Sequence, residues 1–329
     1  MLLNMSKQTV KDEVKEISLT QSQKDTVNNH FDTVRDVIHE EAPNLKVTKQ
    51  GSFGRGTVIK GQESDGFDLD VAILIPSENY QYYEYQNFAN QLIRRFANIY
   101  NGPTQNVELK KKSIAITTRS NFHIDVTFIY RDGYAVEDVY NFNNHAFEAS
   151  FALAFKEAFR TKNENSFNNA LQDLAKIYKQ IRDAVDDPDI EKIPSIVIEM
   201  LLYNAYRNSD NYANSMIATL KNMQIYIDNS LVQNYRSIPN PCHKSDRIPT
   251  KIESIQALNK FSTLNTLVIK TIEQAVTKGY QFHKLARKFE DLQQLDKSLS
   301  DGSVISSNDN VIGSGVFGGN EVDKDKFKF

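Results

Sequence analysis

The sequence predicts an α+β protein: a mixed sheet with flanking helices over residues 1–150, then a helical lobe over 151–299 and an irregular tail over 300–329. Three observations predict it. The run 67–75 alternates and then turns almost wholly apolar, as a central strand does. Two further strand-like runs follow at 107–117 and 121–130. Beyond residue 150 such runs stop, and apolar residues recur with helical period instead.

Taken in order, residues 20–41 form an amphipathic helix, because Val27, Phe31, Val34 and Ile38 recur at spacings of four, three and four. A short strand at 45–50 runs into the turn Gly51-Ser52-Phe53-Gly54-Arg55-Gly56. The strand 67–75 comes next, then a helix over 83–100 and the two strands already named. Helices are expected over 149–161, 168–185, 194–207 and 212–229. A proline-bearing loop spans 239–249, and helices follow over 251–277 and 282–299. From Ser300 the tail is rich in Ser, Gly, Asn and Asp, a composition that favours irregular structure.

Composition narrows the function. A chain of 329 residues can hold one large domain or two lobes around a shared cleft. A net charge of −3 argues against a protein that coats nucleic acid, which needs a basic surface. The single cysteine, Cys242, excludes disulfides within the chain and Cys-based zinc sites. No apolar run approaches the roughly 20 residues of a membrane span. Met1-Leu2-Leu3-Asn4 passes directly into charged sequence and lacks the apolar core of a secretion signal, so a cytoplasmic location is expected.

The chemistry lies in carboxylates. On the strand 67–75 the odd positions share the core face, so Asp68 and Asp70 project together from the other. On the later strand Phe122, Ile124, Val126 and Phe128 share a face, and Asp125 projects from the opposite one. Clustered carboxylates resist desolvation unless a cation joins them. Mg²⁺ suits that role, because it takes few carboxylates and completes its shell with substrate phosphates. The alternative is an edge strand whose aspartates merely face solvent. Gly51-Ser52, just upstream, is either a plain turn or a phosphate cradle, in which glycine admits close backbone approach and serine adds a donor. Arg55 either adds charge there or braces the loop.

Gln50-Gly51-Ser52-Phe53-Gly54-Arg55-Gly56-Thr57 followed by Asp68-Leu69-Asp70, with Asp125 on a later strand, resembles the polymerase-β-like nucleotidyltransferase superfamily. Within it the pattern is similar to the CD-NTases, the bacterial cyclic GMP-AMP synthase-like enzymes of cyclic-oligonucleotide-based anti-phage signalling. The resemblance implies a nucleotidyltransferase core closed by a helical lobe. It implies metal ligation and catalysis by Asp68, Asp70 and Asp125, with two Mg²⁺ ions (or Mn²⁺), and nucleotide binding by Gly51 and Ser52. It extends nucleotide binding to Lys179 and to Ser195, whose alternatives are a surface lysine and an ordinary first residue of a helix. Substrates would be ATP, GTP or a pyrimidine triphosphate, and the cyclic product would activate a downstream effector protein. With one cysteine the chain has no zinc-binding insertion, and Lys110-Lys111-Lys112 and Arg94-Arg95 read as solvated charges, so no DNA activator is expected. Linear oligonucleotide synthesis, or transfer to a tRNA end, a protein or a small molecule, are the alternatives within the fold.

Overall fold

A computed structural model describes residues 2–60, 68–76, 84–103, 105–119, 122–132, 136–185, 187–242 and 247–278. The helix expected over 282–299 and the tail from Ser300 lie outside the described residues.

The chain opens with α1 (Leu2–Ile17) and α2 (Gln21–Glu41), then β1 (Lys46–Lys49), the short helix α3 (Gly51–Arg55), β2 (Asp68–Ile75) and α4 (Tyr85–Ile99). Five strands follow: β3 (Asn106–Leu109), β4 (Ile114–Thr117), β5 (His123–Asp132), β6 (Val136–Asn141) and β7 (Ala146–Ala149). The helical half contains α5 (Ala152–Glu164), α6 (Ala170–Asp183), α7 (Pro188–Glu191), α8 (Ser195–Ala205) and α9 (Tyr212–Tyr226). A small hairpin, β8 (Ser237–Pro239) with β9 (Arg247–Pro249), then leads into α10 (Ile255–Lys278).

Among the described residues the main sheet has seven strands in the order β1-β2-β5-β4-β3, with β6 pairing both β5 and β7. All pairs are antiparallel except β2 with β5, which run parallel at its centre. Its two faces differ. Leu69, Val71 and Ile73 of β2 join Ile124, Val126 and Phe128 of β5 in the main core, with Val34 and Ile38 of α2 and Leu92 and Phe96 of α4. On the other face only the far end of β2 is apolar: Ala72 packs with Ile129, Val139 and Leu153. The near end of that face carries the aspartates.

Several elements depart from expectation. α2 starts where it should, because Thr20 caps it in a reciprocal capping box with Gln23. α1 was not anticipated, and it packs on α6, α9 and α10 rather than on the sheet, with Val10 and Val14 buried. α1 therefore belongs to the helical layer, whereas α2 packs on the sheet. The strand expected at 107–117 is two strands, reversed by a turn at 110–113. The expected loop 239–249 has strands at both ends.

Candidate active site

The parallel pairing of β2 and β5 places Asp70 directly beside Asp125, and Asp68 beside His123. The three aspartates expected from sequence thus share one end of one sheet face. Burial shows in the titration of Asp68 and Asp70. Burial, and then Asp125, push the Asp70 carboxyl up to about 6, with Arg55 opposing. Burial also raises Asp68, with His123 opposing and Asp125 adding to the rise. Such a cluster calls for positive charge.

The turn expected at Gly51 is instead one short helix, α3, and it presses on this cluster. Gly51 has φ +60°, and a Cβ there would lie 1.7 Å from Asp70 Oδ2. Only glycine lets the backbone approach that carboxylate so closely. The turn is also tied to the strand, since the Gln50 N–H donates to the Asp70 carbonyl at 2.8 Å. The buried Gln50 side chain donates to Thr127 Oγ1 at 2.8 Å, sealing the floor between β2 and β5. α3 ends on Gly56 at φ +72°, where a Cβ would meet Gln172 Nε2 of α6 at 1.8 Å. Ser52 sits in the first turn of α3, where backbone N–H groups lack partners within the helix.

Beneath α3 lies a buried ionic cluster that sequence reasoning missed. Glu199 of α8 is 0% exposed and pairs with both Arg55 and Lys179. It also accepts a hydrogen bond from Thr57 Oγ1 at 2.6 Å. Burial alone would raise the Glu199 carboxyl, but Lys179 and Arg55 together overcome this and hold it at about 2. Arg55 is therefore a brace, the second of its two readings. The signal was legible: a lone acid in the apolar run Ile196-Val197-Ile198-Glu199-Met200-Leu201-Leu202 must find a cation once that helix is buried.

Lys179 departs from its expected place. It does not line an open cleft: it is 2% exposed, and its ammonium donates to the Thr57 carbonyl at 3.1 Å as well as pairing with Glu199. The Thr57 N–H in turn donates to the Ser52 carbonyl at 2.9 Å, so Lys179 meets the candidate phosphate turn from below. Ser195 opens α8 as expected, after Pro194. Its hydroxyl accepts from Arg182 at 3.1 Å, and Arg182 also holds the Ile193 carbonyl at 3.0 Å. Lys179 and Arg182 on α6 thus face Glu199 and Ser195 on α8, one turn apart on each helix.

Lys110 is a further correction. Rather than a merely solvated charge, it stands 3.9 Å from Asp125 Oδ1, while Lys112 pairs with Glu148 at 2.6 Å. Among the described residues no three acidic, His or Cys side chains come together as a group that could hold a metal ion. Asp68 and Asp70, both raised chiefly by burial, would suit an ion that takes one or two carboxylates and fills its shell from phosphate and water.

A mixed sheet with paired aspartates on adjacent parallel strands and a glycine-led turn against them agrees with the nucleotidyltransferase core that the resemblance implies. Residues 5–163 match the Second Messenger Oligonucleotide or Dinucleotide Synthetase domain. Over that region the chain is similar to this family of synthetases, and it shares the fold of the CD-NTases. It is similar to the CD-NTase CdnG of Bradyrhizobium diazoefficiens in complex with GTP, at 13% identity and TM-score 0.61, covering 88% of this chain and 98% of that one. The STING-associated CdnE c-di-GMP synthase of Capnocytophaga granulosa is 14% identical with TM-score 0.61, covering 78% and 84% respectively. A mutant of the Vibrio cholerae di-nucleotide cyclase DncV is 14% identical with TM-score 0.54, covering 88% and 85%. No sequence among the curated proteins matches significantly. No helix among the described residues is long and apolar enough to cross a membrane.

Proposed function

We propose that this chain is a Mg²⁺-dependent nucleotidyltransferase that makes a cyclic di- or oligonucleotide from nucleoside triphosphates and releases pyrophosphate. The observation that carries this reading is the pairing of Asp70 with Asp125, with the Gly51 backbone pressed against Asp70. Relatives of the same fold support it, since their names record a GTP complex, a c-di-GMP synthase and a di-nucleotide cyclase.

In this reading Gly51 and Ser52 hold the donor's outer phosphates, and Lys179 supports them through Thr57 and Ser52. Ser195, with Arg182, adds polarity at the start of α8. Asp68 and Asp70 hold the metal-bearing end of the triphosphate. Asp125 draws the acceptor's ribose hydroxyl into line with the α-phosphate. The hydroxyl oxygen bonds to that phosphorus, its proton passes to solvent water, and the bond to pyrophosphate breaks. Asp68, Asp70 and Asp125 would hold Mg²⁺, which when bound would supply positive charge to the attacking and leaving oxygens. The helices α5 to α10 form the part of the chain that would close the cleft over the sheet. A role in anti-phage defence, an effector protein that reads the product, and a cytoplasmic location complete the proposal on the strength of the CD-NTase resemblance.

The division of labour is tested with Asp125→Asn. The variant should bind a non-hydrolysable triphosphate with Mg²⁺ nearly as well as the wild type, because Asp68 and Asp70 remain. Pyrophosphate release should fall by roughly a hundredfold or more, the pattern of a lost transition-state interaction. Loss of binding in step with turnover would move Asp125 to the nucleotide-bound ion. Near-normal release would make it a solvent-facing strand residue.

A further inference from the structure

Asp125 lies on the central strand β5, and its two neighbours serve it differently. On the β2 side stands Asp70, backed by the Gly51 turn. On the other side β4 pairs Ala115 with Asp125, and Ser113 lies two residues before Ala115, on the same face. The Ser113 hydroxyl donates to Asp125 Oδ1 at 2.8 Å, and Ser113 is only 8% exposed.

Ser113 is held firmly. The 110–113 turn is closed by the Lys110 N–H on the Ser113 carbonyl at 2.8 Å, and the Phe142 N–H donates to the Lys111 carbonyl at 2.8 Å. A serine hydroxyl has one proton to give, and here it goes to Oδ1. Lys110 stands near that same oxygen. Among the described residues both contacts to the Asp125 carboxylate fall on Oδ1, which leaves Oδ2 for a ligand.

We propose that Ser113 is the positioning residue of Asp125: its hydroxyl occupies Oδ1 and fixes the carboxylate so that Oδ2 is the oxygen offered to the acceptor nucleotide and its cation. The proposal rests on the nucleotidyltransferase reading and deepens it. It gives the β3–β4 hairpin the acceptor side of the site, opposite the phosphate turn.

The experiment compares wild type, Ser113→Ala and Ser113→Thr. It measures steady-state pyrophosphate release, calorimetric binding of Mn²⁺ with a non-hydrolysable triphosphate, and thermal midpoints. In Ser113→Ala, kcat should fall by about tenfold to a hundredfold, as befits one lost hydrogen bond to a charged group. Triphosphate affinity and thermal midpoint should stay close to wild type. Ser113→Thr, which keeps the hydroxyl, should recover most of the rate. Unchanged kcat in Ser113→Ala overturns the proposal, as does a threonine variant no faster than the alanine one. A fall in kcat matched by falls in affinity and midpoint also overturns it, because the serine would then serve only the fold. A wild-type protein that releases no pyrophosphate removes the nucleotidyltransferase reading itself, and the proposal with it.

Discussion

Replacing Asp68 and Asp70 together by asparagine should remove pyrophosphate release and leave the fold intact. One lost transition-state stabiliser costs about a hundred- to a thousandfold, so two lost metal-binding charges should cost roughly a thousandfold or more. The stability effect should have the opposite sign. In the folded protein the Asp70 carboxyl titrates at about 6, against an ordinary 3.8. An acid raised in this way costs stability above its folded pKa, and the cost disappears as pH falls through about 6 towards 3.8. Asparagine removes that cost at neutral pH. The thermal midpoint of the metal-free variant should therefore equal or exceed that of the wild type at pH 7. The check is scanning calorimetry beside a pyrophosphate assay. Retained turnover at saturating Mg²⁺ would sink the assignment of these carboxylates.

Glu199→Ala should have the largest effect on stability. It leaves Arg55 and Lys179 buried as unpaired cations, and breaking a buried pair from one side costs about 3–5 kcal/mol. Burial already lowers the pKa of the Lys179 ammonium against the pull of Glu199, so Lys179 cannot stay charged cheaply without its partner. The pH dependence carries a definite sign. Glu199 titrates at about 2 in the folded protein against an ordinary 4.5, so its folded pKa is depressed. Its contribution is fully present above about pH 4.5 and is lost as pH falls to about 2. Urea titrations of wild type and Glu199→Gln at several pH values across that window test this. The wild type should lose more stability than the variant as the solution is acidified. Parallel losses would mean that Glu199 does not anchor the turn through its charge.

Much of the site was legible because strand periodicity is simple. Alternation alone placed Asp68, Asp70 and Asp125 on faces away from the core, and apolar content marked both strands as central. The pairing of Asp70 with Asp125 was beyond sequence reading, since parallel strands are joined by long connections that carry no register signal. The turn at 110–113 escaped because Lys110-Lys111-Lys112-Ser113 contains no Gly, Pro, Asn or Asp to announce it. With that turn hidden, Ser113 and Lys110 could not be set beside Asp125. α3 escaped for the converse reason: Gly51 and Gly54 are poor helix formers, and packing against Asp70 and Lys156 overrides their preference. Glu199 was overlooked because its partners, Arg55 and Lys179, are distant in sequence. Charge pairing between separate elements becomes visible only once the helices are stacked.

The activity proposed for the cluster of Asp68, Asp70 and Asp125 is the joining of nucleotides into a ring. The measurement that tests it most directly is incubation of the purified protein with α-labelled nucleoside triphosphates and Mg²⁺, with the products resolved before and after phosphatase treatment. A labelled product should form only with the divalent ion and keep the same mobility after phosphatase, because a cyclic nucleotide has no terminal phosphate to remove. A product whose mobility shifts on phosphatase treatment, as loss of terminal phosphates from a linear chain would cause, or label carried on a macromolecular acceptor, would contradict ring formation. Absence of any transferred label would contradict the nucleotidyltransferase reading as a whole.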